Sequence, residues 1–223
     1  MIIECNNLTK TYPLTGKVVT AVDNVSLAVR PGEFIIILGH SGSGKTTLLS
    51  LIGGLTKPDS GEVLVNGRSN WQQDDRALTA MRNNTIGFIF QFGSLIPTLT
   101  ALENLLLPLC FGRTPAGTRQ TALDLLDLVG LKDKINAFPA QLSGGQQRRV
   151  AIARAFINRP AVILADEPTG DLDEETEREI LHIFKTYNTQ GTTFLVVTHN
   201  NALAETQVAP RIFHMQQGIL VED

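Results

Sequence analysis

The segment that most limits this chain is Phe34-Ile35-Ile36-Ile37-Leu38 followed directly by Gly39-His40-Ser41-Gly42-Ser43-Gly44-Lys45-Thr46. A run of β-branched and apolar residues without polar alternation reads as a strand buried on both faces, as in a parallel sheet covered by helices. The glycines after it let the backbone curl so that its N–H groups point inward around an anion. The helix expected over Lys45 to Leu55 adds the partial positive charge of its N-terminus. The spacing G-x-x-x-x-G-K-[ST], set between a strand and a helix, is that of a loop cradling the phosphates of a nucleoside triphosphate. Lys45 would reach the β- and γ-phosphates, and the Thr46 hydroxyl would coordinate Mg²⁺.

Other segments repeat the strand–helix alternation. Strands are expected at Ile2 to Cys5, Val18 to Val29, Glu62 to Val65, Ile86 to Phe90, Ala161 to Ala165 and Phe194 to Val197. Asn66-Gly67 closes a tight turn, and Arg211 to Val221 reads as a terminal hairpin. Between Leu99 and Arg159 the apolar spacing turns helical: Ala122, Leu125, Leu126 and Val129 share one helix face, stopped by Gly130. Ser143 is placed to cap a helix running to Asn158, and a further helix is expected over Glu174 to Tyr187. The pattern predicts an α/β core with helices on both faces, interrupted by a helical insert.

Composition narrows the function classes. Hydrophobic residues are 43% of the 223, and charged residues 18%, below the usual ~25%, which excludes a disordered chain. A net charge of −3 gives no basic surplus for a nucleic-acid backbone. No apolar run approaches the roughly 18 residues of a membrane-spanning helix. The N-terminus lacks the basic start and long apolar stretch of a secretory signal, so a cytoplasmic chain is expected. Cys5 and Cys110 are too few to form a disulfide framework.

Two further motifs carry chemistry. Asp166-Glu167 ends the apolar strand Ala161 to Ala165, and strand C-termini line the ligand crevice of a parallel sheet. Asp166 there would hold Mg²⁺, usually through water, and Glu167 would polarise an attacking water. At Leu142-Ser143-Gly144-Gly145-Gln146, the cap and glycines expose backbone N–H groups at the positive end of a helix, making a second anion site without a lysine of its own.

That last segment, with Gln147 to Ala155 after it, resembles the signature of the ABC-type ATPases, the nucleotide-binding subunits of ABC transporters. The resemblance extends to Tyr12, where that family places an aromatic on adenine. It includes Gln91, the family's glutamine loop, which contacts Mg²⁺ or the attacking water. Gly170-Asp171-Leu172-Asp173 matches the loop that lies against a partner subunit, and His199 the switch histidine on the γ-phosphate. It implies a P-loop NTPase (RecA-like) core with an antiparallel β subdomain and an inserted α-helical subdomain. The whole chain would be one ABC ATPase domain, with the core at 1–90 and 160–223 and the helical part at about 91–159.

The resemblance also implies ATP and Mg²⁺ as cofactors. ATP would lie on Tyr12, Gly39, Ser41, Gly42, Ser43, Gly44, Lys45, Thr46 and Thr47. A second copy would close over it with Ser143, Gly144, Gly145, Gln146 and Asp173. Thr46, Gln91 and Asp166 would serve the metal, and Glu167, His199, Gln91 and Lys45 the hydrolysis. The implied partners are that second ATPase subunit and an integral-membrane permease, at the inner face of the cell membrane, with no nucleic acid. Leu95 to Leu109 is a candidate surface for docking the permease. Within the family, Leu95 to Leu109 and Ala165 to Gly170 resemble a branch of lipoprotein-releasing, macrolide-export and heterocyst-glycolipid-export ATPases, implying export or extrusion. Asn200 stands where an acid is often seen, and Asp171 where this branch often has Asn or Ala. The alternative within the family is a soluble ATPase acting on DNA or ribosomes. A phosphotransferase or GTPase on another phosphate-loop fold would leave Leu142 to Gln146 and His199 without a role.

Overall fold

The structure is a computed structural model that describes residues 1–14, 16–91, 94–112, 117–170, 172–200, 203 and 210–223. Asp171 lies outside the described residues. Among the described residues, ten strands form two sheets. β1 (Ile3–Leu14), β2 (Lys17–Val29), β4 (Ser60–Val65) and β5 (Arg68–Ser69) make an antiparallel sheet in the order β2-β1-β4-β5. The second sheet has the order β10-β9-β3-β8-β7-β6, built from β3 (Phe34–Leu38), β6 (Ile86–Ile89), β7 (Val162–Asp166), β8 (Thr193–Thr198), β9 (Arg211–Gln216) and β10 (Ile219–Glu222). Its neighbours run parallel except for the terminal hairpin of β9 and β10.

The unbroken apolar runs are explained by two cores, one on each face of this sheet. Phe34, Ile36, Ile163, Ala165, Phe194 and Val196 face one core, with residues of α5 (Gly144–Phe156), α6 (Glu174–Thr189) and the helical insert. The alternate residues Ile35, Ile37, Val162, Leu164, Leu195 and Val197 face the other, with α1 (Lys45–Ile52) and the antiparallel sheet. Successive side chains of a strand point to opposite faces, so a strand covered on both sides must be apolar throughout.

The helical insert contains α3 (Ala101–Leu106), a 3₁₀ turn at Leu107–Phe111 and α4 (Thr118–Leu128), which pack with α5. Ala122, Leu125, Leu126 and Val129 are all buried, as their spacing requires. Two elements were not legible. β1 continues through Leu14, nine residues beyond the apolar stretch, because its outer half is an exposed antiparallel hairpin with β2. The surface helix α2 (Asp75–Thr85) buries only Leu78 fully, so it has no apolar stripe to detect, although Asp74 caps it by accepting the Ala77 N–H at 2.7 Å. The candidate docking stretch, whose sequence fits subdomain core equally, divides: Leu107 and Pro108 line a surface groove, whereas Leu102, Leu105 and Leu109 are 4, 0 and 5% exposed. These three are core of the insert, because the apolar face of α3 turns toward α4 and α5.

The two thiols differ sharply. Cys5 is buried in β1 and burial pushes its pKa up to about 12, whereas Cys110 is exposed. Titration of the native protein with a thiol reagent at pH 8 is expected to modify Cys110 quickly. Cys5 should react only after denaturant is added. Rapid modification of both in the native state would contradict the packing of the antiparallel sheet.

Candidate nucleotide site

The glycine-rich loop joins β3 to α1, between neighbours that leave it little freedom. Gly39 N–H donates to the Thr198 carbonyl at 3.3 Å, and the Ser43 carbonyl accepts from Gly218 at 3.0 Å. Gly44 has φ +108 and lies against the Ala21 carbonyl where a Cβ would stand, so glycine is required there twice over. Lys45 opens α1 and is 6% exposed. Its Nζ donates to the carbonyls of Gly39 at 2.6 Å and His40 at 3.1 Å, and stands 3.9 Å from Glu167 Oε1. The Ser43 hydroxyl is buried with no hydrogen-bond partner among the described residues. An orphaned hydroxyl inside an anion-binding curl is a group held ready for a ligand oxygen.

Across the loop, β7 delivers the acid pair. Asp166 Oδ2 accepts the Thr46 hydroxyl at 2.7 Å. Burial pushes the Asp166 carboxyl above its ordinary range, opposed by the Thr46 bond and by the charges of Lys45 and Arg148. A carboxylate and a hydroxyl in contact are hard oxygen donors suited to Mg²⁺, which takes few protein ligands and keeps water and phosphate oxygens for the rest.

Glu167 turns off the strand with φ +45, a left-handed conformation unusual for a residue with a Cβ. Its backbone is pinned. The N–H donates to Val197, and the carbonyl accepts the buried Arg148 guanidinium at 2.8 Å. Its carboxylate accepts the Thr198 hydroxyl at 2.8 Å and sits 2.9 Å from His199 Nδ1. His199 is otherwise open to solvent, its side chain 69% exposed.

A cleft of about 440 Å³ gathers most of the expected residues: Ser41, Gly42, Ser43, Gly44, Lys45, Thr46, Thr47, Gln91, Asp166, Glu167 and His199. Gly39 supports it through its carbonyl bond to Lys45. Tyr12 does not line the cleft. It pairs across the antiparallel sheet with Val19, which does, and Lys10 Nζ lies 5.6 Å from its ring centre. Ser143, Gly144, Gly145 and Gln146 are also outside the cleft, and form the first turn of α5 in a reciprocal capping box. Ser143 Oγ accepts the Gln146 N–H at 3.2 Å, and Gln146 Oε1 accepts the Ser143 N–H at 2.9 Å. Asp173 caps α6 and stays away from the cleft, its oxygens taken by the N–H and hydroxyl of Thr176.

Sequence reasoning assigned no role to Arg148 or Thr198. Arg148 stands in the signature segment as one of two adjacent arginines, and nothing local marks it as the buried one. Thr198 precedes the histidine and reads as an ordinary strand residue.

A parallel sheet with a glycine loop after β3, a buried lysine, a threonine–aspartate contact and a carboxylate at the end of β7, two strands away, defines a P-loop nucleoside triphosphatase. The chain belongs to the ABC transporter family, whose family model matches residues 22–170. An ABC transporter ATP-binding protein of Thermotoga maritima is 50% identical over 200 residues, 89% of this chain and 86% of that protein. The lipoprotein-releasing system ATP-binding protein LolD of Idiomarina loihiensis is 43% identical over 223 residues, covering 98% of this chain and 96% of that one. The dimeric ATP-binding cassette MJ0796 in a post-hydrolysis state with ADP and Pi superposes with a TM-score of 0.91 at 43% identity, over 99% of this chain and 98% of that one. A second dimeric structure of MJ0796, described as a bacterial ABC transporter cassette, superposes with the same TM-score at 44% identity and the same coverage. The protein is therefore an ATP-binding, ATP-hydrolysing subunit of an ABC transporter. The expected fold, a P-loop core with an antiparallel sheet and inserted helices, is the observed one. Among the described residues, no helix is long and apolar enough to cross a membrane.

Proposed function

We propose that two copies of this chain close head to tail around two ATP molecules and drive a separate membrane permease. The observation that carries this reading is a division of groups on one chain. Lys45, Thr46, Gln91, Asp166, Glu167 and His199 meet at one cleft, while the capped turn Ser143 to Gln146 lies outside it. A second anion site with no lysine of its own suits the γ-phosphate held by another copy. The dimeric form of the MJ0796 cassette with ADP and Pi supports the same arrangement.

In this reading the whole chain is a single ABC ATPase domain, with the core at 1–90 and 160–223 and the helical part at about 91–159. The loop from Gly39 through Ser41, Gly42, Ser43 and Gly44 wraps the phosphates with Thr46 and Thr47. Tyr12 stacks on adenine. Lys45 leaves its backbone carbonyls to neutralise the β- and γ-phosphates. Thr46, Asp166 and Gln91 would hold Mg²⁺, which when bound would offset phosphate charge. Glu167 orients the attacking water and accepts its proton, and His199 reaches the γ-phosphate. The partner copy supplies the N–H groups of Ser143, Gly144 and Gly145, with Gln146 and the loop at Asp173. Those groups favour closure only while the γ-phosphate is present, so ATP binding shifts the population toward the closed dimer and hydrolysis releases it.

The permease docks beside Gln91. A groove of about 320 Å³ lies between α2, β6, the 3₁₀ turn and α5, and Phe90 and Phe111 on its rim are 42 and 65% exposed. Its apolar rim suits one amphipathic helix of a membrane subunit. This seats the chain at the inner face of the cell membrane. The likeness to LolD supports outward movement of a lipid or lipid-anchored protein as the work done. Tagged protein recovered from detergent-solubilised membranes is expected to bring down a multi-spanning permease. Phe111→Glu should lose it while retaining ATP hydrolysis by the isolated chain. Recovery of ribosomes or DNA instead would overturn the transporter reading.

A further inference from the structure

The end of β8 carries three consecutive residues that all engage acids. Thr198 is buried. It donates its hydroxyl to Glu167 Oε2 at 2.8 Å and accepts the Asn200 N–H at 3.0 Å. His199 brings its N–H to 3.3 Å from the same Glu167 oxygen and its Nδ1 to 2.9 Å from the other. The Asn200 side chain serves a different acid, donating to Glu177 Oε1 at 3.1 Å. That oxygen also accepts the Thr169 hydroxyl at 2.8 Å. Thr169 is buried just beyond Glu167, and the next N–H, that of Gly170, donates back to the Glu167 carbonyl at 3.2 Å.

The bonds therefore close a ring, from Glu167 through Thr198, Asn200, Glu177 and Thr169, returning along the backbone to Glu167. Glu177 lies in the N-terminal part of α6, which packs on β8, so the ring is fastened to a rigid element. Glu167 sits inside it with φ +45. A non-glycine residue keeps such a conformation only where its surroundings over-determine it. Neither Glu177 nor Asn200 lines the nucleotide cleft. Both nevertheless connect to the carboxylate that does.

We propose that Glu177 and Asn200 are positioning residues for ATP hydrolysis, their bond holding Glu167 and His199 in register through Thr198. This rests on the reading of Glu167 as the group that orients water. The chemistry demands a donor at 200, because an ionised Glu177 only accepts hydrogen bonds. A carboxylate in place of the Asn200 amide would repel Glu177 and pull the switch residues away from Glu167.

The test uses the purified full chain with Mg·ATP. Asn200→Asp is expected to lower kcat about fivefold, the scale of one lost partly exposed polar contact, with KM for ATP and Tm unchanged. Glu177→Ala, in a helix that tolerates alanine, should lower kcat by a similar factor at constant KM. Glu177→Gln alone should stay within about twofold of wild type, because its amide oxygen still accepts both donors. Combining Asn200→Asp with Glu177→Gln should restore the rate, the glutamine amide now donating to the introduced carboxylate. Wild-type kcat in both Asn200→Asp and Glu177→Ala would overturn the proposal, as would a double variant as slow as Asn200→Asp. A fall in kcat matched by a fall in Tm and a rise in KM would reduce the ring to a structural role and also overturn it. Glu167→Gln run alongside separates the two readings. If it hydrolyses at the wild-type rate, the role of Glu167 fails. If it is inactive while Asn200→Asp is unaffected, only the positioning ring fails.

Discussion

Glu167→Gln is expected to abolish steady-state ATP hydrolysis while preserving ATP binding, and to leave the chain as a stable ATP-bound dimer. Loss of a positioned general base costs about 10²–10⁴-fold in rate. The substitution is nearly isosteric. A glutamine oxygen can still accept the Thr198 hydroxyl that now meets Oε2 at 2.8 Å, so the site should keep its shape. It also removes a negative charge from a cleft that must take up phosphates, leaving Lys45 and Asp166 as the remaining charged pair beside the loop. With closure favoured by bound ATP and release tied to hydrolysis, the variant should elute at twice the monomer mass in Mg·ATP and as a monomer without nucleotide. Phosphate release and size-exclusion chromatography read the two halves of the prediction. Rapid turnover by the purified variant would remove Glu167 from the chemistry.

Lys45→Ala is expected to weaken ATP binding by about ten- to a hundredfold, the equivalent of one lost charge-assisted hydrogen bond of about 1.5–3 kcal/mol. The direction follows from charge. Lys45 is the buried cation of the cleft, facing Asp166 and Glu167. Without it, incoming phosphates meet two acids and a half-cradle of N–H groups. The fold should survive, since alanine is the best helix former at the start of α1 and the freed Gly39 and His40 carbonyls lie beside an open cleft that admits water. Titration calorimetry measures the affinity, and a thermal melt without nucleotide checks the fold. Unchanged affinity would remove the phosphate-loop assignment.

These predictions draw on a site that was unevenly legible. The loop at Gly39 to Thr46, the acid pair at the end of β7 and the cap at Ser143 were readable because each is local. A few adjacent residues state both the backbone conformation and the chemistry. The capping box is an example, with Ser143 and Gln146 answering each other within one turn. α2 was missed because a helix that stays on the surface needs no apolar stripe. The sequence of Leu95 to Leu109 fits a docking surface and subdomain core equally, because an apolar face looks the same whether another chain or this chain's own helices cover it. Only the position of α4 and α5 decided that Leu102, Leu105 and Leu109 are core, while Leu107 and Pro108 line a surface groove.

By itself the amino-acid sequence determined the class of fold, the order of its elements and the groups able to meet a nucleotide. Those properties depend on residue type and short spacing. Only the tertiary structure decided which of those groups meet. The parallel register that sets Asp166 against Val197 brings Glu167 beside Thr198 and His199, 31 and 32 residues away in the chain. The packing of α5 carries Arg148 to the Glu167 carbonyl, and that of α6 carries Glu177 to Asn200. Hydrogen bonds act only over about 3 Å, so they are settled by how whole sheets and helices come to rest on one another, which no single stretch of residues records.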